Sequence, residues 1–231
     1  MWKVPEEPSE GLRIQSELLA VHAVISRGAN LFTDAMEHLA SGEPTDVGSL
    51  CRFGTWLFAF IRQHHISEEE TLWPMLRARE PAAAADLDWL TTQHAILAGD
   101  LISLDSVLSR LEALTLLPTL DAAAASVVLT ALEGFPVADG MRSTLRANLA
   151  SEEPVMRILL PLLTAEDIQR FRDEALATAP RTGLDLLLGI MQDPEPVIGH
   201  DLLLGHMSAQ LRDRRPLLLR RYRALKASLL A

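Results

Sequence analysis

The sequence predicts an all-α protein: an antiparallel up-down four-helix bundle with additional C-terminal helices. Two observations carry this expectation. Hydrophobic residues make up 48% of the 231-residue chain and are mainly Leu and Ala, which combine apolar bulk with high helix propensity. Apolar positions recur at spacings of three, four and seven through several long windows, the period of a helix with one buried face. Aromatic content is only 5% and β-branched runs are scarce, so little favours strands.

The first helix is expected from Glu10 to Leu39, with Ser9 as its N-cap and Ile14, Leu18, Ile25, Ala29, Phe32 and Met36 as its apolar stripe. The segment SGEPTDVG from Ser41 reads as a loop. A second helix should span Leu50 to Arg79 and kink at Pro74, which supplies no amide hydrogen. A third follows from Ala82 to Leu114, with Leu87, Leu90, Leu97, Leu101, Leu104 and Leu108 inward. Residues 121–133 look helical, but Gly134, Pro136 and Gly140 predict a break, and the fourth helix is expected from Met141 past Glu152. Thr164 with Asp167 reads as a capping box opening a further short helix. Two more short helices are expected beyond the Gly- and Pro-punctuated stretch at 180–200. The resulting division is a bundle at 1–165 and a helical extension at 166–231, packed on or beside it.

The formal net charge of −10 argues against nucleic acid as a partner. Charge is uneven, with +6 between Leu211 and Ala231 against −16 elsewhere. A solvated helix face resting on the acidic body explains this better than a grip on an anionic partner. Cys51 is the only cysteine, which excludes an intramolecular disulfide or a Cys-cluster metal site and leaves a packing thiol. No apolar run reaches membrane-spanning length and the N-terminus lacks a signal-type apolar region, so a cytoplasmic protein without a membrane partner is expected.

Some polar residues stand where leucines belong. His22 lies four after Leu18 and three before Ile25. His94 lies four after Leu90 and three before Leu97. His64 and Glu68 are one turn apart and continue the Leu57–Ile61 face, and Glu152 lies seven after Leu145. A single buried histidine is commonly a hydrogen-bonded packing residue, and His64–Glu68 alone could be an i,i+4 ion pair. Three imidazoles and two carboxylates from four helices are tolerable in one core only if a cation neutralises them. This nitrogen–oxygen set suits iron, manganese or zinc. His65, rotated about 100° from His64, is expected at the edge of the cavity, with Glu69 and Glu70 on a solvated face. His38 lies too far along its helix to contribute, and His200 and His206 are expected to be structural or exposed.

These residues resemble the hemerythrin-like, or HHE cation-binding, family. The match is carried by His22 in LLAVHAVI, His64 and Glu68 in HHISEEETLWPML, His94 in TTQHAILAGDL and Glu152 in LRANLASEEPVM. It covers about residues 12–165. The resemblance implies a non-haem centre of two irons, with Glu68 and Glu152 bridging and His22, His64 and His94 as terminal ligands. It also implies oxygen, peroxide or another small molecule as the partner. One departure stands out: the family places histidine four residues before the last glutamate, where this chain has Asn148, and Ala98 stands where oxygen carriers have a second histidine on the third helix. Three consequences stay open. The vacancy could be an open coordination position, His65 or Glu153 could fill it, or the second metal could be weak or missing. An oxygen-binding or sensing protein, a di-iron oxidase or oxygenase acting on a small organic substrate, and a regulatory protein with a structural metal remain the competing functions.

Overall fold

The computed structural model describes residues 10–116, 120–180 and 182–230; the Ser9 cap lies outside them. Among the described residues every regular element is helical. Helix α1 spans Glu10–Ala40, α2 Val47–Ser67, α3 Trp73–Arg79, α4 Ala84–Thr115 and α5 Leu120–Leu159. Helix α1 packs on α5, α5 on α4, α4 on α2 and α2 on α1, closing a ring of four. Consecutive members of this ring, with α3 prolonging the second, make up the up-down bundle.

Local chemistry explains most of the boundaries. Asp46 accepts a hydrogen bond from the Ser49 amide at 3.2 Å and starts α2. The expected second helix is interrupted where a π-helical turn at Glu68–Leu72 joins α2 to α3, with the Trp73 amide bonded to the Glu68 carbonyl. Pro74 follows immediately, in the first turn of α3. The missing proline amide and its ring are absorbed by this wider turn.

The predicted break at 134–140 does not occur, because α5 runs unbroken through Gly134, Pro136 and Gly140. Helix four therefore begins at Leu120 and not at Met141. Gly134 is a contact glycine: a Cβ there would lie 2.7 Å from Val107 Cγ1 and 2.8 Å from Met36 Cε. Pro136 is exposed, as is Leu132, whose carbonyl loses its usual partner where solvent can replace it. The Thr33 hydroxyl donates to the Ala138 carbonyl at 3.1 Å, tying α1 to α5 beside this segment.

Beyond the bundle lie α6 (Ala165–Thr178), α7 (Leu184–Gln192), α8 (His200–Gly205) and α9 (Ala209–Leu229). The Thr164–Asp167 capping box opens α6 as expected. The expectation of two short helices after residue 200 is corrected, since α9 is 21 residues long. Its Arg212, Arg214, Arg220, Arg221 and Arg223 are exposed, while Tyr222, Leu225 and Leu229 are buried. The main core is continuous from α1 and α2 into Leu186, Ile190, Tyr222 and Leu229. Arg27 of α1 donates to the carbonyls of Ile190, Asp193 and Glu195 at 3.3, 3.1 and 2.6 Å, satisfying groups left open at the end of α7. The Asp46 amide donates to Ser228 at 2.8 Å, holding the end of α9 on the α1–α2 connection. No described helix is long and apolar enough to cross a membrane.

Candidate metal centre

The bundle brings all five sequence-predicted residues to one place. His22 comes from α1, His64 from α2, Glu68 from the π turn, His94 from α4 and Glu152 from α5; each is buried. Each carboxylate divides its oxygens between two sides. On one side, Glu152 Oε1 lies 3.2 Å from His22 Nε2, and Glu68 Oε1 lies 3.3 Å from His64 Nε2 and 4.0 Å from His22 Nε2. On the other, Glu152 Oε2 and Glu68 Oε2 lie 3.6 and 3.9 Å from His94 Nε2.

Despite these separations, the Nε2 atoms of His22, His64 and His94 and all four carboxylate oxygens make no hydrogen bond. Seven buried polar atoms without partners would be a heavy cost in a closed core. Lone pairs directed at a common space are what a cation requires.

The outer nitrogens are held. His94 Nδ1 donates to Glu69 Oε1 at 2.8 Å, and His22 Nδ1 to Glu153 Oε1 at 3.4 Å. With the ring proton on Nδ1, each Nε2 lone pair faces inward, as metal-binding imidazoles require. Glu69 therefore does not belong to a solvated face as expected. Glu153 does not replace a ligand either, since it supports His22. A signal for both was present: the tripeptide Ser-Glu-Glu occurs at 67–69 and again at 151–153. In each, the first glutamate turns inward and the second grips an imidazole.

His65 is closer to the centre than expected. Its ring stacks on that of His94 with centroids 3.9 Å apart, and its Nε2 is buried without a partner. Ligand atoms of His65, Glu68 and His94 lie within 4.8 Å of one another, as do those of His22, His64, Glu68 and Glu152. These are two donor groups that share Glu68. Trp73 stacks behind His94, with ring centroids 6.1 Å apart.

The family model for the hemerythrin HHE cation binding domain matches residues 13–163, about two thirds of the chain. The chain belongs to the hemerythrin family. No curated protein and no solved structure matches it. Hemerythrin domains bind metal, typically iron, and the buried His/Glu cluster of this one could hold it.

Within this hemerythrin domain the departure at Asn148 is structural as well as sequential. Asn148 is buried one turn before Glu152, and neither its amide oxygen nor its nitrogen has a partner. Ala98, one turn after His94, offers no donor atom. The other histidines lie elsewhere: His38 Nδ1 meets Thr45 Oγ1 at 3.2 Å, His200 meets Asp201 at 3.3 Å and His206 meets Glu17 at 3.3 Å. Cys51 points its thiol at the Leu108 carbonyl, 3.6 Å away, and burial, with the charges of Glu112 and Asp46, pushes its pKa up to about 11. It is a packing residue.

Electrostatics separate the inward groups. Burial, reinforced by the charge of Glu152, raises Glu68 well above the carboxylate range. Burial also opposes ionisation of Glu152, but the neighbouring imidazoles of His22, His94 and His64 outweigh it and pull that carboxyl well down. Burial would depress His22, yet Glu152, Glu153 and Glu68 together raise it well above ordinary imidazole. His64 is held far below it by burial and by His22 and His65, and His65 is lowered to about 3 by burial and the neighbouring His94. Protons and a metal ion would thus compete for the same inward-facing atoms.

Proposed function

We propose that this protein is a non-haem di-iron protein that binds, senses or reacts with oxygen or a related small oxidant. The observation that carries the reading is the division of each buried carboxylate between two sides, one facing His22 and His64 and the other facing His94. Glu68 and Glu152 would bridge two ions; His22 and His64 would hold one of them and His94 the other. Charge supports two cations, because Glu68, Glu69, Glu152 and Glu153 supply four negative charges when ionised, and two divalent ions balance them. The nitrogen and oxygen donors, with no thiolate, suit iron and also accommodate manganese or zinc.

When bound, two ferrous ions supply two electrons to an oxidant. The chain's own residues do the rest. Glu69 and Glu153 fix the tautomers and ring angles of His94 and His22. Leu57, Ile61, Leu97, Leu101 and Leu145 continue the helix faces on which the donors stand and keep bulk water from the core. His65 Nε2, on the His94 side, and the buried Asn148 amide are left uncommitted, and each is a weaker or less fully placed donor than a further inward histidine would be.

Anaerobic loading with ferrous iron, metal counting, and optical spectroscopy on adding oxygen test the reading. Two irons per chain and an oxygen-dependent charge-transfer band are expected. Substoichiometric binding of iron, zinc and manganese alike would overturn the metal centre. Two tightly bound ions with no optical response to oxygen or peroxide would overturn the oxidant chemistry alone.

A further inference from the structure

A cavity of about 400 Å³ lies where the bundle meets the C-terminal extension, walled by α1 and α2 on one side and by α6, α7 and the α8–α9 segment on the other. Folded interiors are close-packed, with few voids much larger than a water molecule. This volume falls instead in the range of small-molecule sites. Its surface is mainly apolar, with Leu18, Phe171 and the parallel rings of Trp56 and Phe60, whose centroids are 5.4 Å apart.

The charged groups at its wall are already committed to one another. Arg172 donates from Nε and Nη2 to the two oxygens of Glu17, both at 2.9 Å, and from Nη1 to Glu10 at 2.8 Å. His206 Nε2 lies 3.3 Å from the same Glu17. Among the described residues that line it, no cation is left to receive an anionic head group, and no anion is left to receive an amine. The Gln63 side chain also lines the cavity, and none of the described hydrogen bonds uses its amide.

His64 connects the cavity to the metal centre. It lines the cavity while its Nε2 faces Glu68 Oε1 at 3.3 Å. The outer nitrogens of His22 and His94 are covered by Glu153 and Glu69, whereas no carboxylate among the described residues covers the outer edge of His64.

We propose that this cavity binds an uncharged, predominantly apolar organic molecule of about 10–20 non-hydrogen atoms, seated against Trp56 and Phe60 and in contact with the outer edge of His64. The wall chemistry selects it: apolar surface and aromatic faces for the body, one free carboxamide for a single hydroxyl or carbonyl, and neutralised charges that reject ions. Binding itself requires no metal; its effect on the centre through His64 rests on the di-iron reading.

The test titrates the full chain, metal-free and iron-loaded, with the neutral fluorophore N-phenyl-1-naphthylamine, and competes it with 1-decanol and with decanoate. One saturable site per chain is expected, with decanol displacing the probe better than decanoate by about tenfold or more. Ala175→Trp and Ala179→Trp, which place bulk in the cavity from α6 and its end, should each weaken the probe by a similar factor while circular dichroism stays that of the wild type. In the iron-loaded protein, probe binding should shift the optical spectrum of the centre. No saturable binding, decanoate competing as well as decanol, or both folded tryptophan variants binding like wild type would overturn the site. So would loss of the probe site on self-association, since a second copy would then be the occupant. Saturable binding with an unmoved spectrum in protein that retains its iron would overturn the His64 contact. Failure to retain iron would instead count against the metal centre and leave the metal-free titration to decide the cavity.

Discussion

Replacing Glu68 with methionine should stabilise the metal-free protein and abolish its stabilisation by metal. Glu68 is fully buried and neither carboxylate oxygen is hydrogen-bonded. Leaving a buried polar group unsatisfied costs about 1–3 kcal/mol, and exchanging buried ionic groups for apolar ones of similar volume commonly gains about 1–4 kcal/mol. Burial and the Glu152 charge raise the Glu68 pKa, which lessens the cost of burying it as a charge. The gain is therefore set at about 2 kcal/mol, toward the low end of these ranges. For a chain of this length each kcal/mol moves Tm by roughly 2–4 °C, so metal-free Glu68→Met should melt roughly 4–8 °C above wild type. With free metal at a hundred times its dissociation constant the wild type gains about 2.7 kcal/mol while the variant, lacking a bridging carboxylate, gains little, and the order inverts. Scanning calorimetry of both proteins, with chelator and with metal, reads all four values. A metal-free variant that melts below wild type would refute the reasoning, because Glu68 would then be a satisfied member of a structural ion-pair cluster.

Glu69→Gln and Glu153→Gln should each weaken metal binding by about 10–100-fold in equilibrium dialysis while the fold is retained; unchanged affinity would remove their orienting role. Asn148→His should restore a strong donor beside Glu152 and tighten the more weakly held ion, seen as slower loss of the second equivalent to a chelator; equal loss rates would show that Asn148 does not face that ion. Asp193 is ordinarily resisted by burial, but the Lys226 ammonium, the Tyr222 hydroxyl and the Arg27 charge hold its carboxyl below the unfolded value of 3.8. A depressed folded pKa contributes stability above the unfolded value that is lost as pH falls through the folded one. The stability gap between wild type and Asp193→Asn, measured by urea denaturation, should accordingly be full at neutral pH and close in acid below 3.8; a gap that widens in acid would contradict the assignment.

The bundle was legible because leucine and alanine at helical spacing leave few alternatives, and the donors because polar residues interrupt that spacing at His22, His94 and Glu152. What escaped the pattern did so for physical reasons. Gly134 and Pro136 look like helix breakers locally, yet close contact with Val107 and Met36 requires the glycine, and exposure makes the proline tolerable. Helical phase assigns Glu69 to solvent and offers Glu153 as a substitute ligand, but side chains of that length reach back to the outer nitrogen of a histidine on a neighbouring helix. His65 was displaced from the centre by counting 100° per residue, whereas its stacking on His94 depends on a neighbouring helix that the count leaves out. The cavity at His64 is formed by segments more than a hundred residues apart, so no local signal announces it.

The π turn at Glu68–Leu72 holds one residue more than an α-helix would use for the same rise. Its contribution is therefore one of number and not of kind. Removing a single residue from 69–71 would leave every donor in the chain and every helix former in place, yet rotate Leu72, Trp73 and Met75 by about 100° relative to His64. Trp73 would leave the back of His94. Chains of this kind should thus tolerate exchanges of Glu70 and Thr71 far better than a one-residue gap, a distinction that substitution scanning alone would never reveal.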